Sequence, residues 1–440
     1  MERAGEGAAI LAPFKAPAAA RPSRPMLVLW MLCGIYVLNF LDRSLLSILA
    51  KPIQDELHIT DGQLGRIGGL YFALFYCFIA IPVGWLADRT NRVTILSLAC
   101  AIWSAATMAC GLAAGYGQLV AARMAVGFGE AGGVPPSYAI ITDSFPPGRR
   151  GVAFGIYNLG PPIGAALGIA FGASIAAAFN WRDAFLAIGA VGLVAAAAAR
   201  IVLREPPRGA FDGADPGAPR QGPLFWATAR MFFSRPVLVL AALGGGATQF
   251  ITYGLGNFTT LFLIREKGMT LEDVAIYYAL VVVVGMGGGM LISGRVIDHF
   301  IPRGRRVYAL APALSLLAAL PFYLGFLWAP SWPVGLILLT GAMALNYFYL
   351  SSSVALVQEE VAPDQRVMSG ALLLLVMNFI GLGLGPTYVG AASDWFGARG
   401  IAHSLQVALF TLTPFYLVAS LLFFRLARLL HSQDVQRSAA

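Results

Sequence analysis

Four charged residues lie inside stretches of the sequence that are otherwise apolar. Asp42 and Arg43 are adjacent in one stretch, and Arg123 and Glu130 are seven residues apart in another. That spacing places Arg123 and Glu130 on nearly the same face of a helix. Burial favours the neutral form of a carboxyl, whereas a nearby arginine favours its charged form. Asp42 and Glu130 are therefore predicted to exchange protons and to serve in proton coupling.

The two arginines suit a different task. A guanidinium group binds phosphate or carboxylate through two parallel hydrogen bonds, so Arg43 and Arg123 are predicted to contact an anionic substrate. Two structural interpretations stay open. In the first, Asp42 and Arg43 form an ion pair that pins their helix to a neighbouring helix. In the second, Arg123 is a static partner of Glu130 or Asp42.

Neutral polar residues inside later apolar stretches form a second group of candidates. Gln249, Tyr253 and Asn257 recur at every fourth position, which places them on one helix face. The predicted neutral contacts to substrate are Asn158, Tyr253, Asn257, Asn346, Tyr347 and Asn378. These groups would orient a ligand by hydrogen bonds, and the alternative use of each is to bond neighbouring helices together.

The stretches that position these residues are long enough to cross a membrane. Hydrophobic residues make up 58% of the chain and charged residues 12%, whereas about a quarter of a soluble domain is charged. Runs of about 20 apolar residues span a bilayer as helices, and continuous rather than alternating runs exclude a membrane β-barrel. Twelve spans are predicted, at residues 26–48, 64–86, 93–115, 118–142, 151–178, 183–202, 237–263, 273–297, 306–328, 334–357, 368–392 and 402–424.

The chain contains an internal repeat. The segment 84–92 (GWLADRTNR) ends one apolar stretch, and the segment 294–306 is a weaker copy at the corresponding place in the second half. Thr60 and Thr270, each just before an apolar stretch, are separated by the same interval. Duplicated membrane bundles commonly rock about one central site. We therefore predict an all-α membrane protein of twelve transmembrane helices in two pseudo-symmetric six-helix bundles.

The predicted bundles are separated by a polar linker. In chain order, the predicted divisions are a disordered N-terminal tail (1–25), the first bundle (26–203), a linker with a short amphipathic helix (204–235), the second bundle (236–424) and a C-terminal tail (425–440). Within the predicted fifth span, glycine recurs at every fourth position from Gly160 to Gly172. That face is predicted to let another helix approach closely.

The distribution of positive charge predicts the orientation. With both termini inside, 22 of the 30 lysines and arginines fall on the inner side, as expected for cytoplasmic loops. The net charge of +8 is therefore a membrane-topology signal, and we expect no nucleic-acid partner. The predicted location is a cell membrane, in a bacterium the inner one, with both termini cytoplasmic.

The motif Gly84-x-Leu-Ala-Asp88-Arg89-x-x-Arg92 resembles the loop between spans two and three of the major facilitator superfamily, with Asn91 where many members have glycine. This resemblance implies alternating access and a cytosolic latch that joins the two halves when the transporter faces outward. The residues assigned to the latch on this basis are Gly84, Asp88, Arg89, Arg92, Arg149, Arg150 and Asp298.

A narrower resemblance concerns the charged stretches. Asn39-Phe-Leu-Asp42-Arg43 and the segment 123–131 (RMAVGFGEA) are similar to the spinster subfamily, whose animal members export lysophospholipids and sphingosine phosphate. The resemblance implies a proton-coupled transporter of an amphipathic anionic or zwitterionic lipid. A proton-coupled transporter of small organic acids and a sensor that binds ligand without moving it are the alternatives.

Other function classes find no support in the sequence. No ATP-binding loop, nucleophile elbow or metal-ligand cluster is present, so neither enzyme activity nor a cofactor or metal is expected. The four cysteines show no paired spacing for a disulfide or zinc site. The expected partners are a lipid or small-molecule substrate, protons and the bilayer, and the expected state is a monomer.

Overall fold

The computed structural model describes residues 25–208, 211, 225–362 and 365–439. Among these residues, eleven helices are long and apolar enough to cross a membrane. In chain order they are Pro25–Ile48, Asp61–Ala87, Arg92–Gly111, Gly148–Ala178, Trp181–Val202, Pro236–Lys267, Leu271–Phe300, Val307–Trp328, Trp332–Glu360, Met368–Gly397 and Ser404–Gln436. A further span between the third and fourth of these consists of two shorter helices. We number the twelve spans 1 to 12 in chain order.

Span 4 is interrupted, whereas the sequence predicts one continuous helix over 118–142. The structure contains helices Tyr116–Glu130 and Val134–Ser144, joined by a turn. The physical reason lies in the local sequence. Pro135 and Pro136 lack backbone N–H groups, and the residue before a proline avoids the helical conformation. Span 10, the counterpart of span 4 in the second half, is also interrupted, at Tyr347 between Trp332–Asn346 and Phe348–Glu360.

The ends of the chain differ in how far the structure covers them. The predicted N-terminal tail and most of the linker lie outside the described residues. The predicted amphipathic helix of the linker is present as Phe225–Ser234, with Phe232 buried and Trp226 exposed. The last helix continues through nearly all of the predicted C-terminal tail, as Thr413–Ala439.

Span 5 holds span 1 in place through its glycines. A Cβ atom built on Gly168 would lie 2.6 Å from the carbonyl oxygen of Leu41, and one on Gly164 would lie 2.9 Å from Cβ of Phe40. Real Cβ atoms do not approach other atoms so closely, so larger residues would push the helices apart. The predicted glycine face is thus a helix-packing face, and it fixes the part of span 1 that carries Asp42.

The two faces of the bundle are distinguished by what they carry. The linker face carries the turn between spans 2 and 3 and the linker helix Phe225–Ser234, and the far face is the opposite one. At the far face, spans 2 and 8 begin with matching capping boxes, in which Thr60 pairs with Gln63 and Thr270 with Asp273. A π-helical turn follows each capping box. The repeat seen in the sequence is therefore a structural repeat.

A buried arginine ties together the linker-face ends of three spans in the first half. Arg92, at the start of span 3, lies 2.6 Å from Asp143 at the end of span 4 and 2.5 Å from Glu205 after span 6. The Glu205 carboxylate also accepts the backbone N–H of Val93, and Arg92 donates to the carbonyl of Pro206. This clamp stiffens the first half as a unit.

The second half contains an equivalent clamp. Arg305, in the turn between spans 8 and 9, pairs with Glu360 at the end of span 10. It also lies 3.5 Å from Glu359 and 3.7 Å from Asp434 on the helix that continues span 12. Each half is thus braced as one body, which is what a rocking mechanism requires.

The two halves are bonded to one another at the far face. Asp61, at the start of span 2, accepts hydrogen bonds from Arg265 of span 7 at 2.8 and 2.9 Å and from Ser393 of span 11 at 2.6 Å. Gln54 donates to the same carboxylate at 2.7 Å and accepts from Arg265 at 2.9 Å. We call Gln54, Asp61, Arg265 and Ser393 the far-face lock.

Further hydrogen bonds between the halves extend the far-face lock along spans 2 and 11. The hydroxyl of Thr60 and the N–H of Gly62 both donate to Asp394, at 2.7 and 3.0 Å. Deeper in the membrane, the N–H of Leu70 donates to the hydroxyl of Thr387 at 3.1 Å. Leu70 lies in a π-helical turn, where the backbone pairing pattern differs from that of an α-helix.

Candidate functional site

The predicted charged residues come together between spans 1 and 4. Arg43 donates to Glu130 at 2.5 Å, and the side chains are 12% and 0% exposed. Glu130 is the last residue of the first helix of span 4, directly before the interruption. Interrupted helices at corresponding positions of two repeats are a general pointer to a transport site, and both span 4 and span 10 show this feature.

Asp42 has a different set of partners. The hydroxyl of Thr107 in span 3 lies 2.5 Å from one carboxylate oxygen, and Nη1 of Arg123 lies 3.6 Å from the other. Arg123 therefore pairs with Asp42, which is one of the two static partners that the sequence left open. Glu130 pairs with Arg43 of span 1 and not with Arg123, although Arg123 and Glu130 lie on the same helix.

The buried charges retain unused hydrogen-bonding capacity. Within the described residues, one oxygen of Asp42, one oxygen of Glu130, and two nitrogens of Arg123 are buried without a hydrogen-bond partner. Unpaired polar atoms in an apolar interior are costly. The arrangement is therefore suited to receive a proton, an anionic group or water.

Aromatic rings surround the two arginines. The guanidinium of Arg43 lies 4.5 Å from the ring centre of Tyr76 and 5.2 Å from that of Phe72, and that of Arg123 lies 5.4 Å from Phe72. The backbone of Phe72 can lie close to span 4 because Gly127 has no side chain. A Cβ at Gly127 would lie 2.6 Å from the carbonyl oxygen of Phe72. Sequence reasoning missed Phe72 and Tyr76, whose spacing of four in span 2 was the available signal.

The second half contributes tyrosine hydroxyls. Tyr253 of span 7 is half-buried and is an electrostatic neighbour of Arg43 across the interface between the halves. Tyr347, at the interruption of span 10, is half-buried and neighbours Tyr253, as does the buried Tyr349. Of the predicted neutral contacts, Tyr253 and Tyr347 are thus the ones grouped with the charged residues.

The predicted asparagines are distributed more widely. Asn346 is buried and donates to the hydroxyl of Tyr416 at 3.0 Å, while its side-chain oxygen has no hydrogen-bond partner among the described residues. Asn257 donates to the carbonyl of Tyr253 on its own helix, and its side-chain oxygen lies against Gly68 of span 2. Two others differ in exposure. Asn158 is exposed and accepts from Tyr138, and Asn378 is half-buried.

The residues predicted for the latch lie at the linker face. Arg89 is exposed, stacks on Trp85 at 4.1 Å and donates to its carbonyl. Arg150 donates to the carbonyls of Thr142 and Phe145, within its own half. The remaining members are Arg92 in the first clamp, half-buried Gly84, exposed Arg149 and Asp298, and Asp88, whose side chain lies outside the described part of the chain.

Comparison with known proteins identifies the family. The family description of the Major Facilitator Superfamily matches residues 32–386. The chain belongs to the major facilitator superfamily. This assignment confirms the predicted fold class of a multi-pass, all-α membrane protein, and it makes the protein a membrane transporter.

The chain is also similar to three curated proteins, two bacterial and one human. An MFS-type efflux pump of Mycolicibacterium smegmatis is 28% identical over 390 residues, which is 87% of this chain and 89% of the relative. Human Protein spinster homolog 1 is 27% identical, over 85% of this chain and 74% of the relative. A hexuronate transporter of Bacillus subtilis is 25% identical, over 85% and 88%.

Solved structures support the narrower resemblance. A bacterial homolog of the human lysosomal transporter Spinster, in an inward-facing and unoccupied conformation, superposes with a TM-score of 0.84 at 30% identity, covering 93% of this chain and 98% of that one. A bacterial Spinster homolog in an inward-facing and occupied conformation gives 0.81 at 30% identity, with the same coverage. The superfamily member described here thus resembles the spinster transporters, as the sequence motifs predict.

Proposed function

We propose that the protein is a proton-coupled secondary transporter of an amphipathic anionic or zwitterionic lipid, such as a lysophospholipid or sphingosine phosphate. The observation that carries the proposal is the buried pair of Arg43 and Glu130, which lies between spans 1 and 4 of the first half and neighbours Tyr253 of the second half. Ionised Glu130 is paired with the guanidinium of Arg43. Protonation of Glu130 would weaken this pair and leave the guanidinium available to a phosphate or carboxylate. Proton binding and anion binding are thereby linked.

Alternating access supplies the transport step. The linker face is taken as cytoplasmic because it carries most of the basic residues. The far-face lock then closes the outer side, as a conformation that is not outward-facing requires. In the outward-facing conformation, Asp88 and Arg89 would join the halves at the cytoplasmic side instead. A sensor has no need of two alternative sets of contacts between its halves, which disfavours that interpretation.

The division of polarity between the halves supports an amphipathic substrate. The charged residues Asp42, Arg43, Arg123 and Glu130 all lie in the first half, where they would hold a head group. Tyrosine and phenylalanine side chains of the second half would contact an acyl chain. A small organic acid clamped by Arg43 or Arg123 is the second candidate, and the similarity to a hexuronate transporter favours keeping it.

The test compares both substrate classes in one assay. Purified protein in liposomes is given labelled lysophospholipids or labelled hexuronates, with and without an imposed pH gradient. We expect lysolipid transport that the gradient accelerates. Accelerated hexuronate transport without lysolipid transport would establish the second candidate instead.

Variants test the coupling residues. Asp42→Asn and Glu130→Gln are each expected to abolish gradient-driven transport while the protein still folds and can be purified, because the amide keeps the size of the side chain. Asp55→Asn is the matched control, because Asp55 is an exposed carboxylate paired with Lys51 on its own helix. Full gradient-driven transport in both coupling variants would refute the assignment of Asp42 and Glu130.

A further inference from the structure

The hydroxyl of Thr107 has two acceptors and one proton. Its oxygen lies 2.5 Å from a carboxylate oxygen of Asp42 and 2.9 Å from the carbonyl oxygen of Trp103, one turn earlier on span 3. A hydroxyl donates one hydrogen bond and accepts two. Thr107 therefore donates to Asp42 or to Trp103, and not to both at full strength.

The protonation state of Asp42 decides between these two arrangements. An ionised carboxylate can only accept, so Thr107 then donates to Asp42. A protonated carboxyl donates its own proton to the oxygen of Thr107, whose hydroxyl then turns to the carbonyl of Trp103. The proton stays on Asp42 throughout, and no bond other than hydrogen bonds changes.

We propose that Thr107 is a positioning residue for proton coupling, which keeps Asp42 hydrogen-bonded in both of its protonation states and thereby lets it change state while buried. The inference rests on the proposed function, and it adds a residue to which neither the sequence motifs nor the latch pointed. Without such a partner, one of the two states of a buried carboxyl would be left unsatisfied, at a cost in free energy.

The surroundings of Asp42 leave this task to Thr107. Span 4 offers Arg123 at 3.6 Å, beyond hydrogen-bonding distance, and also Glu130 as a more distant charge. Span 3 adds the thiol of Cys110, and span 1 adds Arg43, next to Asp42 in the chain. Among the described residues, Thr107 is the one whose side chain lies within hydrogen-bonding distance of this carboxylate.

The space around the pair allows the exchange. A small cavity adjoins Asp42 and Thr107 between spans 1, 3 and 6, and Gly189 and Gly192 form its wall on span 6. The hydroxyl of Ser104 also lines this cavity and is buried without a hydrogen-bond partner within the described chain. Gly189 and Gly192 let span 6 pack directly against span 3. Because the Thr107 oxygen already lies within hydrogen-bonding distance of both acceptors, only its hydrogen has to turn for the exchange.

The experiment observes the carboxyl directly and needs no transport substrate. Full-length protein in lipid nanodiscs is titrated with acid while the infrared carbonyl band of protonated carboxylic acids is recorded. The part of the band that Asp42→Asn removes belongs to Asp42. Thr107→Val keeps the shape of the side chain and removes the hydroxyl, and Thr107→Ser restores it. Thr107→Ala is a second deletion in case the valine variant folds poorly.

We expect the midpoint of the Asp42 band to rise by about one pH unit in Thr107→Val and Thr107→Ala, because a hydrogen bond to a charged acceptor is roughly twice as strong as one between neutral groups. Thr107→Ser should keep the wild-type midpoint. A midpoint that neither deletion moves overturns the inference and leaves the proposed function intact. A wild-type protein without any titrating Asp42 band overturns the inference together with the coupling role of Asp42.

Discussion

The far-face lock makes a quantitative prediction for Asp61→Asn. The substitution keeps the size of the side chain and removes its charge. Asp61 accepts from Arg265, Gln54 and Ser393, and an amide can keep only part of this set because one of its two ends is a donor. The neutral variant should therefore weaken the closed far face and favour the conformation that opens there.

The magnitude follows from the hydrogen bonds that Asp61→Asn weakens. A hydrogen bond to a charged group contributes about 1.5–3 kcal/mol, but the Arg265 side chain is 33% exposed, so solvent weakens its contribution. We therefore expect the closed far face to be destabilised by about 2 kcal/mol. That difference changes the ratio of far-face-open to far-face-closed molecules about 30-fold.

Alkylation of a reporter cysteine measures this ratio even when the open state is rare. Thr387→Cys provides the reporter, because Thr387 lies between spans 2 and 11 and contacts Leu70 rather than Asp61. The four native cysteines are buried, and peptide mass spectrometry separates their signals from that of the reporter. Where opening is faster than alkylation, the rate is proportional to the open fraction, and we expect it to rise about 30-fold in Asp61→Asn.

The control is Asp55→Asn in the same reporter background. Asp55 lies on the same face, but its side chain is 60% exposed and its ion-pair partner, Lys51, is on the same helix. Its charge acts on Arg265 without a hydrogen bond and through solvent, so the alkylation rate should change far less in this variant than in Asp61→Asn. Equal rates in Asp61→Asn and Asp55→Asn would show that the far-face lock does not hold the halves together.

Three further predictions concern other parts of the molecule. Asp88→Asn should weaken the cytoplasmic latch by about 1 kcal/mol or less, so cysteines that report on opening of the linker face should react up to several-fold faster. Gly168→Val should press on Leu41 and lower stability by about 1–3 kcal/mol, seen as a lower midpoint of thermal unfolding and reduced transport. Arg92→Ala removes the buried arginine that joins Asp143 and Glu205 and should cost about 3 kcal/mol, seen as poor yield and early unfolding.

Two of these variants, Gly168→Val and Arg92→Ala, have matched controls. Gly256→Ala places a Cβ in open space and should leave unfolding unchanged. Arg89→Ala removes an exposed arginine at the same turn as Arg92 and should have little effect on stability. Unchanged reporter reactivity in Asp88→Asn, or controls as destabilised as the variants they match, would contradict these assignments.

Much of the architecture could be predicted because a membrane imposes it. Continuous apolar runs can only be helices there, and repeated motifs revealed the two halves. The interruption of span 4 was missed although Gly132, Gly133 and Pro135 signalled it. In a run this apolar, hydropathy outweighs local backbone chemistry when spans are assigned by composition.

The pairing within the site could not be predicted in the same way. The sequence placed Arg123 and Glu130 on one helix face, yet each pairs with a residue of span 1. The rotation of a helix about its axis depends on packing against its neighbours, here through the glycines of span 5 and Gly127. The far-face lock was missed for a similar reason, since Asp61 and Arg265 resemble ordinary charges at span ends until the fold brings them together.

Span 7 differs from the interrupted spans by running unbroken from Pro236 to Lys267. It carries Tyr253 beside Arg43 near its middle and Arg265 at its far-face end, about 18 Å further along the axis. A continuous helix is stiff along its length, so a ligand that displaced Tyr253 would be expected to shift Arg265 by a similar amount. Span 7 would then couple the proposed substrate site to the far-face lock directly, without a relay of side chains between them.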